Sequence, residues 1–117
     1  MHPSDEVSTR ILTKRLASSS NPSYMRTARN KTPVLYDDVS EDTIQIGKGI
    51  ELKSGSDVAI IACGVLVSEA LKAADMLANE GIQATVVDMH TIKPLDTTLI
   101  DNVAERCGCI VLSLIHI

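Results

Sequence analysis

Residues 57–96 read DVAIIACGVLVSEALKAADMLANEGIQATVVDMHTIKPLD, and the order of elements in this stretch decides the fold. Val58 to Ala62 is a continuous apolar run, the pattern of a parallel strand buried on both faces. Gly64 ends it. A helix follows with Val67, Leu71, Ala74 and Leu77/Ala78 on one face, and Gly81 stands where a left-handed residue would stop it. Ile82 to Val87 is a second β-branched run ending at Asp88. Two parallel strands joined by a helix form a right-handed crossover unit, and the rest of the chain reads as additions to it.

Downstream, Asp96 is a good N-cap for a second helix that turns Leu99, Ile100, Val103 and Ala104 inward and ends at Gly108. Cys109-Ile110-Val111 begins a third parallel strand, so Asp57–Ala62 should lie in the middle of the three, with an unpaired edge beyond them. Upstream, Ile44 to Leu52 alternates weakly around two glycines, as a short strand or hairpin arm. Residues 37–43 (DDVSEDT) are acidic and aperiodic, the composition of a linker and a domain boundary. Before them Ser4 can cap a helix carrying Val7, Ile11, Leu12 and Leu16 on one face. Ser23 to Arg29 (SYMRTAR) then reads as a strand. The first 36 residues are too few to bury a core alone. The expected fold is α/β: a partial, mainly parallel doubly wound sheet preceded by a helix-strand piece of another α/β domain.

Composition narrows the function. Among 117 residues there are two Tyr and no Phe or Trp, so the core must come from Val, Ile, Leu, Ala and Met. The net charge of −4 gives no basic footprint for nucleic acid, and no apolar run is long enough to span a membrane. The first ten residues have no apolar signal region, and three cysteines in no disulfide-like framework fit a reducing, cytoplasmic setting.

Candidate chemistry is sparse. Cys63-Gly64-Val65-Leu66-Val67 supplies one of the three glycines of a dinucleotide fingerprint, so a plain α/β turn is the better reading. Cys107-Gly-Cys109 lacks metal-ligand spacing, and each cysteine is read as a small buried hydrophobe. His90 follows a strand end, where open sheets bind ligands, but no nucleophile or carboxylate is legible beside it; a hydrogen bond ordering the loop is the favoured role. Asp88 and Lys93 flank that loop, and a structural ion pair between them is expected. Arg26 and Arg29 end the SYMRTAR segment three residues apart, on opposite strand faces. At most one should meet a ligand, and a phosphate contact and a surface ion pair both stay open.

Taken together, Asp88–Asp96, the Ala62-Cys63-Gly64-Val65 turn and Tyr24–Arg29 resemble transketolase, in the C-terminal section of the split bacterial form. The resemblance covers residues 2–111. It implies a thiamine-diphosphate-dependent transferase of two-carbon ketol units between sugar phosphates, cytoplasmic and homo-oligomeric, dimeric in the parent enzyme. Residues 1–36 would then be the last helix and strand of a pyrimidine-binding domain, and residues 44–111 the first half of the C-terminal domain. Arg29 takes the place of the arginine that contacts the substrate phosphate, leaving Arg26 to structure. The stretch that binds cation and diphosphate and the activating glutamate have no counterpart here. This chain alone is therefore expected to bind no cofactor and to be inert without an N-terminal section or subunit. Related deoxyxylulose-phosphate synthases, 2-oxoacid dehydrogenase β subunits, or a non-enzymatic α/β interaction or ligand-binding module are the alternatives. Leu112 to Ile117 (LSLIHI) departs from the family's run and can be encoded by the transposon end of tagmentation libraries. A non-native tail is expected there, with an authentic strand as the alternative.

Overall fold

A computed structural model of the chain describes residues 1–37 and 39–114. Helix α1 (Glu6–Ala17) leads through an irregular segment and a 3-10 turn at Glu41–Thr43 into strand β1 (Ile50–Lys53). The crossover unit follows as β2 (Val58–Ala62), α2 (Leu66–Asn79) and β3 (Ala84–Asp88), then α3 (Thr97–Arg106) and β4 (Ile110–Ser113). The sheet order is β1-β3-β2-β4; β3, β2 and β4 are parallel, and β1 pairs antiparallel with β3. As the apolar run demanded, β2 is the middle strand of the parallel three.

Alternation along β2 and β3 sorts the core into two layers. Ile60, Ala62, Ala84 and Val86 pack against Val67, Ala70 and Ala74 of α2 on one face. Ala59, Ile61 and Val87 turn to Val103 of α3, with Met89 and Cys107, on the other. The two connecting helices thus cover opposite faces, which is the doubly wound arrangement. Each buried Val or Ile contributes roughly 1.5–3 kcal/mol. A third cluster joins Ile11 and Leu12 of α1 to Tyr36 and Ile44, with Leu35, Ile50 and Leu52 packed against it. Side chains from both sides of residues 37–43 therefore share one apolar body.

The ends of the elements follow capping chemistry, with one change. Asp96 caps α3 by accepting from Leu99 N–H, and Gly81 follows α2 at φ +82°. In α1 the N-cap is Asp5, not Ser4: Asp5 accepts from Ser8 N–H, and the Ser8 hydroxyl faces the Asp5 backbone N–H in return. Ser4 is used elsewhere, as described below.

The strand expected at Ser23–Arg29 does not form. Residues 22–28 carry no regular structure: among the described residues their backbone bonds beyond the segment go to Met1, whose ammonium donates to the Tyr24 carbonyl at 2.8 Å and whose carbonyl accepts from Arg26 N–H at 2.9 Å. A single residue cannot extend a ladder. At the other end β4 runs through Ser113, which pairs with Ala62, and Val111 and Leu112 are exposed on this outer strand. Leu112 and Ser113 of the expected tail are thus in the sheet, while residues 115–117 lie outside the described residues.

Gly55, just before β2, is the tightest backbone contact: a Cβ there would lie 2.5 Å from the Gln83 carbonyl. Backbone cannot yield as a flexible side chain can. Gly55→Ala should therefore lower the urea unfolding midpoint, at a cost of about 1–3 kcal/mol. Gly81→Asn should be nearly neutral, because its Cβ meets open space and Asn tolerates the left-handed region. Equal midpoints for the Gly55 variant and the unaltered chain would refute this packing.

Candidate functional site

In an open parallel sheet, ligands enter the crevice beyond the carboxyl ends of the strands. Here that position lies past Ala62 of β2 and Asp88 of β3, and the chain's own N-terminal segment fills it. His2 N–H donates to the His90 carbonyl at 2.7 Å, and the His2 carbonyl accepts from Gly64 N–H at 3.2 Å. The His2 ring sits on Gly64, where a Cβ would be only 2.3 Å from ring atoms. Gly64 is also at φ +60°, so its lack of a side chain serves both the turn and the imidazole above it.

Asp88 is the centre of this joint. Its carboxylate is fully buried, and Oδ2 accepts from the Ser4 hydroxyl at 2.5 Å and the Tyr36 hydroxyl at 2.7 Å. Asp5 completes the fastening from the other side: Oδ2 accepts from the N–H groups of Leu35 and Tyr36 at 2.8 and 3.1 Å, while Oδ1 serves Ser8. Two carboxylates thus bind the start of α1, the 35–36 segment and the end of β3 into one unit. The ionised form of Asp88 is disfavoured by burial, which raises its pKa to about 6 despite the two hydroxyl donors. Burial, with the Asp88 charge next, pushes the Tyr36 phenol far above its ordinary range. His90 is fully buried; its Nδ1 lies 2.9 Å from the Thr91 hydroxyl, and burial lowers its pKa to about 4. The His90 ring is thus hydrogen-bonded within its own loop. Among the described residues, Asp88 Oδ1 and His90 Nε2 have no hydrogen-bond partner.

The other candidate residues are dispersed. Asp88 is not paired with Lys93; it is committed to Ser4 and Tyr36, and Lys93 is exposed on the loop. Arg29 is exposed, and among the described residues no hydrogen bond or ion pair holds its side chain. Arg26, expected to serve structure, is exposed too and lines a cleft with His2 and Lys93. Cys63 and Cys107 are buried as small hydrophobes are, but Cys109 is exposed, because it precedes an outer strand. Cys63 lies 3.5 Å from His2 Nδ1, and burial raises its thiol pKa while lowering that of His2. The pair is therefore neutral rather than an ion pair. Sequence reading missed the Ser4–Tyr36–Asp88 joint. Its one signal was an acidic residue at the end of a β-branched run.

Comparison with known proteins adds the family. The family model for the transketolase C-terminal domain matches residues 47–114. The chain belongs to the transketolase C-terminal domain family. It is 41% identical over 98 residues to a protein of Methanocaldococcus jannaschii provisionally named a transketolase C-terminal section, covering 84% of this chain and 31% of that protein. It is also 41% identical over 115 residues to 1-deoxy-D-xylulose-5-phosphate synthase of Thermomicrobium roseum, covering 95% of this chain and 18% of the synthase. Among solved structures, a split-gene transketolase in an inactive β4 tetramer superposes with a TM-score of 0.91 at 38% identity, over 97% of this chain and 37% of that one. The chain thus spans about a third or less of the proteins it matches.

The residues at this turn do not suit a diphosphate. The space above Gly64, where a strand-to-helix turn could cradle phosphate, is taken by the His2 ring. Among the described residues no group of three or more His, Cys, Asp or Glu side chains is placed to hold a metal ion.

The joint gives opposed pH effects. Asp88 contributes stability that is present below its ordinary pKa of 3.8 and is lost as pH rises through about 6. His90 contributes stability present above 6.5 and lost as pH falls through about 4. Each change amounts to ~3 kcal/mol, since one pKa unit is 1.36 kcal/mol. Relative to the unaltered chain, Asp88→Asn should therefore lose stability on acidification from pH 6.5 to 4, and His90→Asn should gain it. Urea unfolding across that range measures both, and parallel pH profiles for all three proteins would contradict the assignment.

Proposed function

We propose that this chain is part of a thiamine-diphosphate-dependent transketolase that moves two-carbon ketol units between sugar phosphates. The observation that carries this reading is the superposition over 97% of the chain on a split-gene transketolase. In this reading residues 1–36 are the end of the pyrimidine-binding domain, and residues 44–111 are the first half of the C-terminal domain. The cofactor, when bound, supplies the carbanion chemistry. Its diphosphate, cation and activating glutamate are assigned to an N-terminal section or subunit of the same cytoplasmic homo-oligomer. Support for a divided enzyme comes from relatives that are themselves subunits, including the 6-deoxy-6-sulfo-D-fructose transketolase subunit of a Clostridium species, 36% identical over 109 residues.

This chain's direct contribution to the reaction is Arg29. Its guanidinium can donate a planar fork to a phosphate monoester. An exposed position with no partner among the described residues leaves it available to a substrate held between sections. The joint at Asp88 sets the position of the segment that carries Arg29, because Met1 and His2 connect that segment to the strand ends. Apart from this, the chain orients and supports.

A second reading, a 1-deoxy-D-xylulose-5-phosphate synthase, is favoured by an identity equal to that of the transketolase section, over a longer alignment. Product analysis of the reconstituted enzyme separates the two: exchange between sugar phosphates supports transketolase, and accumulation of 1-deoxy-D-xylulose 5-phosphate supports the synthase.

In the assembled enzyme, Arg29→Ala should raise KM for phosphorylated donors roughly ten- to hundred-fold, the cost of a hydrogen bond to a charged group. Turnover of unphosphorylated hydroxypyruvate should be spared. An equal loss with both donors would assign Arg29 to structure. The isolated chain should show no thiamine diphosphate binding by calorimetry, and micromolar binding would overturn the division of labour.

A further inference from the structure

Beside the joint, the irregular segment after α1 faces the loop after β3 across an open cleft of about 580 Å³. Arg26 and Ser23 stand on one wall and Lys93 on the other, with His2 between them, and no carboxylate lines the space. That is a local exception in a chain of net charge −4. Among the described residues no ion pair engages Arg26 or Lys93. His2 is 7% exposed, with Nδ1 beside Cys63 and the Cε1–Nε2 edge over Gly64, so it floors the cleft and leaves the charge to Arg26 and Lys93. Arg26 is close enough that its charge, after burial, helps lower the His2 pKa. Two cationic side chains, Arg26 and Lys93, thus share the cleft with a neutral imidazole and no acid to neutralise them.

The cleft also has an apolar side. Tyr24 is 77% exposed and Ile92 49% exposed, and both line it. In a chain with only two aromatic residues, one is left unpacked at the rim of a basic cleft. A free anion would use the cations and leave this surface wet. A phosphate carrying a planar ring would use both, with the phosphate on the guanidinium and ammonium and the ring over the tyrosine.

We propose that the cleft between Arg26 and Lys93 binds a ring-bearing phosphate monoester of the nucleoside monophosphate class, with its ring against Tyr24 and Ile92. The site is separate from the substrate contact assigned above, since Arg29 does not line it. All four contact side chains are exposed, so they can be replaced without opening the core.

The test is a titration of the full chain, its folded state established by a cooperative urea transition, with AMP, adenosine and inorganic phosphate as the probes. Saturable AMP binding at least tenfold tighter than either adenosine or phosphate is expected. Arg26→Ala and Lys93→Ala should each weaken AMP binding tenfold or more, Tyr24→Ser should weaken AMP but not phosphate, and Arg29→Ala should change neither. Absence of saturable AMP binding by the folded chain, binding that survives Arg26→Ala, or phosphate binding as tight as AMP would overturn the proposal. None of these outcomes depends on ketol transfer, so failure here leaves the proposed function standing.

Discussion

One buried carboxylate holds this molecule together. Asp88 ends the most deeply buried strand, and taking its charge out of water is costly unless donors compensate. Both donors come from outside the crossover unit: Ser4 precedes α1, and Tyr36 follows the irregular segment. Their removal would leave a fully buried charge without a partner, so the strand end and the N-terminal segment depend on one another. The apolar cluster of Ile11, Leu12, Tyr36 and Ile44 adds non-directional attraction, but Asp88 and Asp5 fix the register at which the two parts meet.

This joint changes what the sheet can do. The crevice beyond strand ends is the ordinary ligand position of an open α/β sheet, and here His2, Ser4 and Tyr36 occupy it as structure. The segment bearing Arg26 and Arg29 runs exposed at the margin of the sheet. Membership in the transketolase C-terminal domain family agrees with such a supporting part. The segment itself is tied to the strand ends through Met1 and His2.

The crossover unit was legible because its signals are local and mutually consistent. The apolar run at Val58–Ala62, the β-branched run at Ile82–Val87, the glycine at 81 and the cap at Asp96 all point to the same elements; the first strand is observed as read, the second at Ala84–Asp88, and both helix ends where expected. SYMRTAR failed as a strand because β-propensity needs a neighbouring strand to act on, and among the described residues its backbone bonds to Met1 alone outside the segment. Ser4 was misassigned as the cap for a related reason. Ser4 and Asp5 are equally good caps by type, and the choice was made by Asp88, 84 residues away. The joint itself had no local signature, since its three members are scattered along the chain and meet only in the fold.

If Asp88 couples the N-terminal segment to the sheet, the interaction has to appear as non-additivity. The direct measurement is a double-mutant cycle by urea unfolding on Tyr36→Phe, Asp88→Asn and the combined variant. Residues sharing a buried hydrogen bond are expected to show a coupling energy of about 0.5–3 kcal/mol. The account predicts a value in that range, with α1 and the sheet unfolding in one transition. Strictly additive effects, or a separate early transition for α1 in the unaltered chain, would contradict it.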